Sequence, residues 1–385
     1  MNWPLSSLFK SVPIAFRSSD SCAEAKIEPA QAGSIATGEV PEMAKHKILA
    51  SLSIITTLFG LIALADAQEI KLTFGDQNPP AGWGPIHALQ PWVQKVEAAT
   101  KGRVKIEIFP SQTLVKGPDM WKAVRSGIVD MGWCFQGYWA DQTPLADVIS
   151  LPGLPIKSAE QGSEVLWKLY ERFPAIQKEF SDVVPLTLWT SHPYFILTST
   201  KQIKTLEDLK GLKIRVTGGP PTDQMKAFGA VPTPMPMPDV YQALDKGVID
   251  GMGAPWEAIL SFRLYEVGKY YTMVPLSAVY FSVCANKQKW ESLPKDVRDQ
   301  IMSVSGLEGA KHWGKNFFDT PEQAVIEKAK AGSNDMIRYT VPADEVARWR
   351  KVGAEPVWED WVKKMEGKGH KEAREILNAT LDLLK

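Results

Sequence analysis

Residues 243–253 read ALDKGVIDGMG. The stretch is written like a helix end handed on to a strand. Ala243–Lys246 closes a helix, and Gly247 supplies a C′ residue that accepts the left-handed backbone. Val248 and Ile249 form a β-branched step, Asp250 turns the chain, and a short strand begins at Gly251. Residues 123–133, AVRSGIVDMGW, repeat the pattern, with Gly127, Ile128, Val129 and Asp130 in the same places. Two copies of one helix-to-strand hand-over predict two similar α/β halves.

The flanking sequence supplies the other strands and helices. Ile70–Phe74 alternates apolar and polar residues, as does Val104–Phe109, and both read as strands. Between them, after the loop DQNPPAGWGP, an amphipathic helix is predicted near His87–Thr100 with Leu89, Trp92, Val93 and Val96 on one face. This β-α-β order implies a parallel sheet with a right-handed crossover. Val183–Thr200 is apolar enough for consecutive buried strands, so the passage between halves is expected to be strand-like. Ser292 is expected to cap a helix with Pro294 in its first turn, running to about Ala331 with a break near Thr320-Pro321. Amphipathic helices fill the tail, 343–385.

The chain has 385 residues, 44% hydrophobic and 23% charged, with Lys+Arg and Asp+Glu both at 44. Such a balance carries no basic excess or stripe, so no nucleic acid is expected as a partner. From Met43, a charged segment (Lys45, His46, Lys47), an apolar run and Ala65-Asp66-Ala67 form the tripartite pattern of a cleaved export signal. Residues 1–42 then read as an upstream extension, 43–67 as the signal, and the mature chain starts near Gln68. Export would place it in an oxidising compartment, where Cys134 and Cys284 could pair or stay buried as free thiols.

Catalytic and metal signatures are missing. No HExxH, CxxC, G-x-S-x-G, Walker or dinucleotide-binding glycine pattern occurs, so no enzyme, cofactor or metal centre is indicated. His87, His312 and His370 stand in helical contexts, and His192, next to Pro193, reads as a core or turn residue.

Arg215 is the residue that asks for an explanation. In Leu212–Thr217, period two places Leu212, Ile214 and Val216 on one face and Lys213, Arg215 and Thr217 on the other. Gly218-Gly219-Pro220-Pro221 then stops the strand. An arginine near a strand's carboxyl end in an open α/β sheet suits a ligand cleft, where its planar fork grips a carboxylate. A solvated edge strand explains the same pattern equally well.

The stretch TLEDLKGLKIRV, followed by PTPMPMPDVYQAL and KGVIDG up to residue 251, resembles the extracytoplasmic solute receptors of tripartite ATP-independent periplasmic (TRAP) transporters, specifically the DctP type. The resemblance covers essentially all of 68–385. It implies a two-lobed periplasmic binding protein fold of the α/β class, with a ligand cleft between lobes and a long helix spanning both. The lobes would comprise 68–192 plus about 281–320 and about 193–280 plus 321–345, with 346–385 packing on them. It further implies a periplasmic protein without catalytic activity that binds an organic acid and hands it to small and large TRAP membrane subunits, with Arg215 holding the carboxylate.

Departures from the family pattern bear on the ligand. Tyr194 stands where dicarboxylate and sialic-acid members tend to carry a second arginine, and Ala254 stands where Asn is frequent. With one arginine, and with Trp189, Tyr194, Trp256 and Phe281 as expected pocket walls, a monocarboxylate with an apolar or aromatic body is favoured. Trp83, Gln136 and Tyr138, at strand ends, complete the expected contacts. Glu257 is the residue that could serve a metal ion of the kind some relatives use, although the local sequence matches that pattern poorly. Two other readings fit the same residues: an exported α/β enzyme acting on a carboxylated substrate, and a ligand sensor of the same fold.

Overall fold

A computed structural model describes residues 69–332 and 336–385. The upstream extension and export signal expected over 1–67 lie outside the described residues. Among the described residues, eleven short strands form two sheets. They are β1 (Ile70–Gly75), β2 (Val104–Phe109), β3 (Met131–Phe135), β4 (Val183–Thr190), β5 (Phe195–Thr198), β6 (Lys213–Val216), β7 (Val231–Pro234), β8 (Gly251–Ala254), β9 (Tyr270–Met273), β10 (Tyr280–Asn286) and β11 (Ile337–Thr340).

The first sheet has the order β2-β1-β3-β10-β4 and the second β11-β9-β5-β8-β6-β7. β1 runs parallel to β2 and β3, with the helix Gln90–Ala99 between β1 and β2. In the second sheet β6 is parallel to β7 and β8. Each sheet also takes an antiparallel strand delivered from the other half of the chain order: β10 in the first and β5 in the second. The passage from one sheet to the other between β4 and β5 spans only residues 191–194.

The repeated hand-over has one geometry in both sheets. Gly127 and Gly247 have φ of 75° and 65°, in the left-handed region where a side chain would be strained. Ile128 N–H donates to Ala123 O at 2.9 Å, and Val248 N–H donates to Ala243 O at 2.8 Å. Val129 and Ile249 are buried, while Ile128 and Val248 stand exposed. The Asp130 carboxylate accepts from Thr73 N–H on β1, and the Asp250 carboxylate accepts from Lys213 N–H on β6, both at 2.8 Å. Each aspartate therefore pins the start of its own strand to the neighbouring strand.

Aromatic residues fill the first lobe's interior. Trp92, Trp189 and Trp313 are wholly buried, with Trp189 stacked on Trp313 at 4.4 Å between ring centroids. Aromatic pairs of this kind add about 0.5–1.5 kcal/mol beyond the area they bury. Ser292 does not cap a helix. Its hydroxyl donates to Lys289 O at the end of helix Lys287–Ser292, and the helix Lys295–Met302 starts after Pro294. The chain has turned at Leu293-Pro294 because Pro294 has no N–H to continue the earlier helix.

The segment Gly306–Gly314 continues through a π-helical turn, Lys315–Asp319, breaks at Thr320-Pro321, and resumes as Glu322–Ala331. Its first part packs on β4 and the helix Ala159–Arg172, and its last part on the helix Trp256–Ser261. It is thus the helix that links the two lobes. Helices Ala343–Gly353, Glu355–Gly367 and Ala373–Leu383 complete the chain. No described helix is long and apolar enough to cross a membrane.

Candidate functional site

β6 lies between β7 and β8, so neither of its edges is free, and alternation decides which face of the sheet takes Arg215. Ile214 and Val216 enter the apolar core, and Arg215 sits on the opposite face, only 2% exposed. Its Nε and Nη2 both donate to Met235 O, at 3.2 and 3.0 Å. Nη1 has no hydrogen-bond partner, and no carboxylate lies within ion-pair distance among the described residues. Burial pushes the guanidinium's pKa down from its ordinary value, offset by the phenols of Tyr138 and Tyr194 nearby. A buried cation without a counter-charge is costly, and an anion brought against it relieves that cost.

Arg215 opens onto a narrow cavity of about 30 Å³, room for about one water molecule. One side is an aromatic slab. Phe135 and Phe281 stack at 4.8 Å, Phe281 and Phe318 at 5.2 Å, and Trp133 meets Phe281 at 4.9 Å. Phe317 and Phe262 extend the walls, and Gln77, Asn78, Tyr194 and Glu257 supply the polar lining. Few polar groups set among aromatic walls is the composition expected of a small-molecule site.

The two lobes meet across this cavity through hydrogen bonds. Met237 N–H donates to Tyr138 Oη at 2.9 Å, and that hydroxyl donates to Gln77 Oε1 at 3.0 Å. Gly218 N–H donates to Gly137 O at 2.9 Å. Trp83 N–H donates to Ser261 Oγ at 2.9 Å, Ser261 Oγ donates to Glu257 Oε1 at 2.5 Å, and Gly84 N–H reaches the same oxygen at 3.4 Å. Loops after β1 and β3 thereby close on loops after β6, β7 and β8, all at strand carboxyl ends. Burial lifts the Glu257 carboxyl to about 7, and likewise that of Asp76, whose Oδ1 accepts two bonds from Asn78.

Of the residues expected in the site, Arg215, Tyr194 and Phe281 line the cavity together. Tyr138 stands just behind it, as the bridge between lobes. Trp189 lies one layer deeper, between Phe281 and Trp313, and does not line the cavity. Gln136 turns away to donate to Ser282 Oγ at 2.7 Å. Trp83 stacks on His87 at 3.7 Å and donates its indole N–H to Asn316 O, outside the cavity. Trp256 packs on Phe195 and Tyr271 and faces a separate open cleft beside His192. Core and pocket wall have the same composition, so local sequence does not distinguish rings that line the cavity from rings one layer behind it.

Residues that the sequence did not single out as contacts include Gln77, Asn78, Trp133, Phe135, Met237, Phe317 and Phe318. Gln77 and Asn78 follow β1 directly, a position where strand-end logic could have found them. Among the described residues no cluster of His, Cys, Asp and Glu is arranged to hold a metal ion. A roomier depression is lined by Asp223, Lys226, Asp360 and Lys364, by apolar residues including Pro144, Trp361 and Met365, and by the buried carboxyl of Asp147. Cys134 and Cys284 are buried free thiols on adjacent strands.

Comparison with known proteins agrees with this geometry. The model of bacterial extracellular solute-binding proteins, family 7 (DctP), matches residues 81–365. A TRAP solute-binding protein from Rhodoferax ferrireducens, crystallised with copurified benzoate, superimposes with a TM-score of 0.77 at 30% identity, covering 82% of this chain and 97% of that one. A marine metagenome TRAP protein specific for aromatic acid ligands, bound to 3-hydroxybenzoate, gives a TM-score of 0.77 at 31% identity, covering 82% and 98%. The C4-dicarboxylate-binding periplasmic protein DctP of Rhodobacter capsulatus is 28% identical over 332 residues, 80% of this chain and 92% of that protein. The chain belongs to the bacterial extracellular solute-binding proteins of family 7, the DctP family of TRAP transporters.

Proposed function

We propose that this chain captures an aromatic monocarboxylate in the periplasm and delivers it to the membrane subunits of a TRAP transporter, without catalysing a reaction on it. One observation carries the reading: a buried arginine with no protein carboxylate opens onto a slab of aromatic rings. The ligand carboxylate pairs with Arg215 and its ring lies along Phe135, Phe281 and Phe318. Removal of water by lobe closure strengthens that ion pair.

Tyr194 argues against a dicarboxylate. A phenol carries no positive charge in either protonation state, so Tyr194 cannot pair a second carboxylate as an arginine would. A second carboxylate would be buried unpaired. The benzoate and 3-hydroxybenzoate complexes of the two relatives support the same ligand class. The test is isothermal titration of the purified protein with benzoate, 3-hydroxybenzoate and succinate, repeated on Arg215→Ala. Aromatic acids are expected to bind, succinate not, and Arg215→Ala to bind none. Tight succinate binding, or unchanged benzoate affinity in Arg215→Ala, sinks the proposal.

A further inference from the structure

We infer that Glu257 is a second ligand-reading residue, donating a hydrogen bond to an oxygen substituent on the ring of the bound aromatic acid. The inference rests on the ligand class proposed above and narrows it to hydroxylated aromatic monocarboxylates.

Glu257 sits in the first turn of helix Trp256–Ser261, is 3% exposed and lines the same cavity as Arg215. Its two oxygens have different surroundings. Oε1 accepts from Ser261 Oγ at 2.5 Å and from Gly84 N–H at 3.4 Å, so it is committed to holding the lobes together. Oε2 has no hydrogen-bond partner in the protein. Nor does the residue neutralise Arg215, since no ion pair joins them. Arg215, Tyr194 and Glu257 line the same cavity. The cavity therefore carries a cation and a separate carboxyl, with the aromatic slab alongside.

The chemistry of the free oxygen follows from its partner. Oε1 receives two donors, so a proton on this carboxyl belongs on Oε2. Burial and the nearby Asp76 favour the protonated form at neutral pH and below. A protonated Oε2 is a donor pointing at nothing in the protein, and an unmet buried donor is penalised until a ligand supplies an acceptor. A phenolic oxygen fits, and its own proton finds an acceptor in the Asn78 side-chain carbonyl lining the same cavity. Sites built to pair a ligand hydroxyl reject the analogue that lacks it.

The experiment is calorimetric titration of wild type, Glu257→Leu and Glu257→Gln with benzoate and with 2-, 3- and 4-hydroxybenzoate. The readout is the ratio of the benzoate Kd to that of the best hydroxybenzoate. Wild type is expected to favour the hydroxy acid by about tenfold or more, and Glu257→Leu to bring the ratio to within about twofold of unity. Loss of the Gly84 contact weakens both acids alike and cancels in the ratio. Glu257→Gln keeps an N–H donor and is expected to hold most of the preference. A ratio unchanged in Glu257→Leu overturns the inference and leaves the arginine anchor standing, as does wild type that binds benzoate without discrimination. Failure to bind any of these acids overturns both readings.

Discussion

Arg215 and Met235 are locked together: the guanidinium spends two of its donor nitrogens on one backbone carbonyl, at 3.2 and 3.0 Å. The carbonyl fixes the fork's plane and leaves the remaining donors facing the cavity. Lysine cannot reproduce this, having a single point charge on a flexible stem. Arg215→Lys is expected to weaken benzoate binding roughly 100-fold, about 3 kcal/mol, while the ligand-free melting midpoint moves little. Calorimetry and a thermal melt on the same preparation check both halves.

Tyr138 joins the lobes through Met237 N–H and Gln77. Tyr138→Phe keeps the ring, which meets Phe135 edge-on at 4.8 Å, and removes the hydroxyl. About 1 kcal/mol, or roughly fivefold in affinity, is the expected loss. Because the bonds exist only between closed lobes, the loss should appear as faster ligand release. Stopped-flow tryptophan fluorescence separates that from slower association.

Burial lifts the Glu257 carboxyl from the ordinary value of 4.5 to about 7 in the folded protein. The folded form thus holds its proton more tightly. The stabilisation this provides is complete below about pH 4.5 and fades as pH rises to about 7, a change of roughly 3 kcal/mol at most. Other groups titrate in this window, including His192, whose buried ring resists protonation. The difference between wild type and Glu257→Gln isolates the carboxyl. In benzoate-saturated melts, wild type is expected to lose ground against the variant between pH 5 and 7 and to stay level above. A flat difference across that window would refute the protonated state.

Asp130 and Asp250 fasten equivalent turns at the ends of β3 and β8 remote from the cavity. Alanine at either is expected to cost about 1–3 kcal/mol of stability, since each leaves a backbone N–H without its acceptor. Benzoate affinity should stay within about twofold in both variants. Urea unfolding and calorimetry test the pair; a large affinity change in either would show that these turns reach the site.

Much of the site's logic was legible in residues whose period is stiff. Strand alternation put Arg215 on the face opposite Ile214, and the Gly-Asp turns revealed two halves, because both depend on backbone geometry that few residues satisfy. The aromatic walls were not legible to the same degree. Trp189 and Phe281 face each other on adjacent strands, yet only Phe281 lines the cavity. That distinction is one of depth, set by which layer Trp313 and Phe318 occupy, and local pattern carries no depth. Phe317 and Phe318 were hidden for another reason. They lie on a π-helical turn, where the extra residue per turn brings two consecutive rings to the cavity.

The twin aspartate turns have a consequence for how such a chain can change. The aspartate fastenings sit at one end of β3 and β8, and the cavity sits at the other. Substitutions that retune the cavity need not disturb the fastenings, and the fastenings impose nothing on which acid is held. A lineage built on this plan can therefore exchange one nutrient for another by altering a handful of loop and wall residues, while the scaffold that must fold after export is inherited intact.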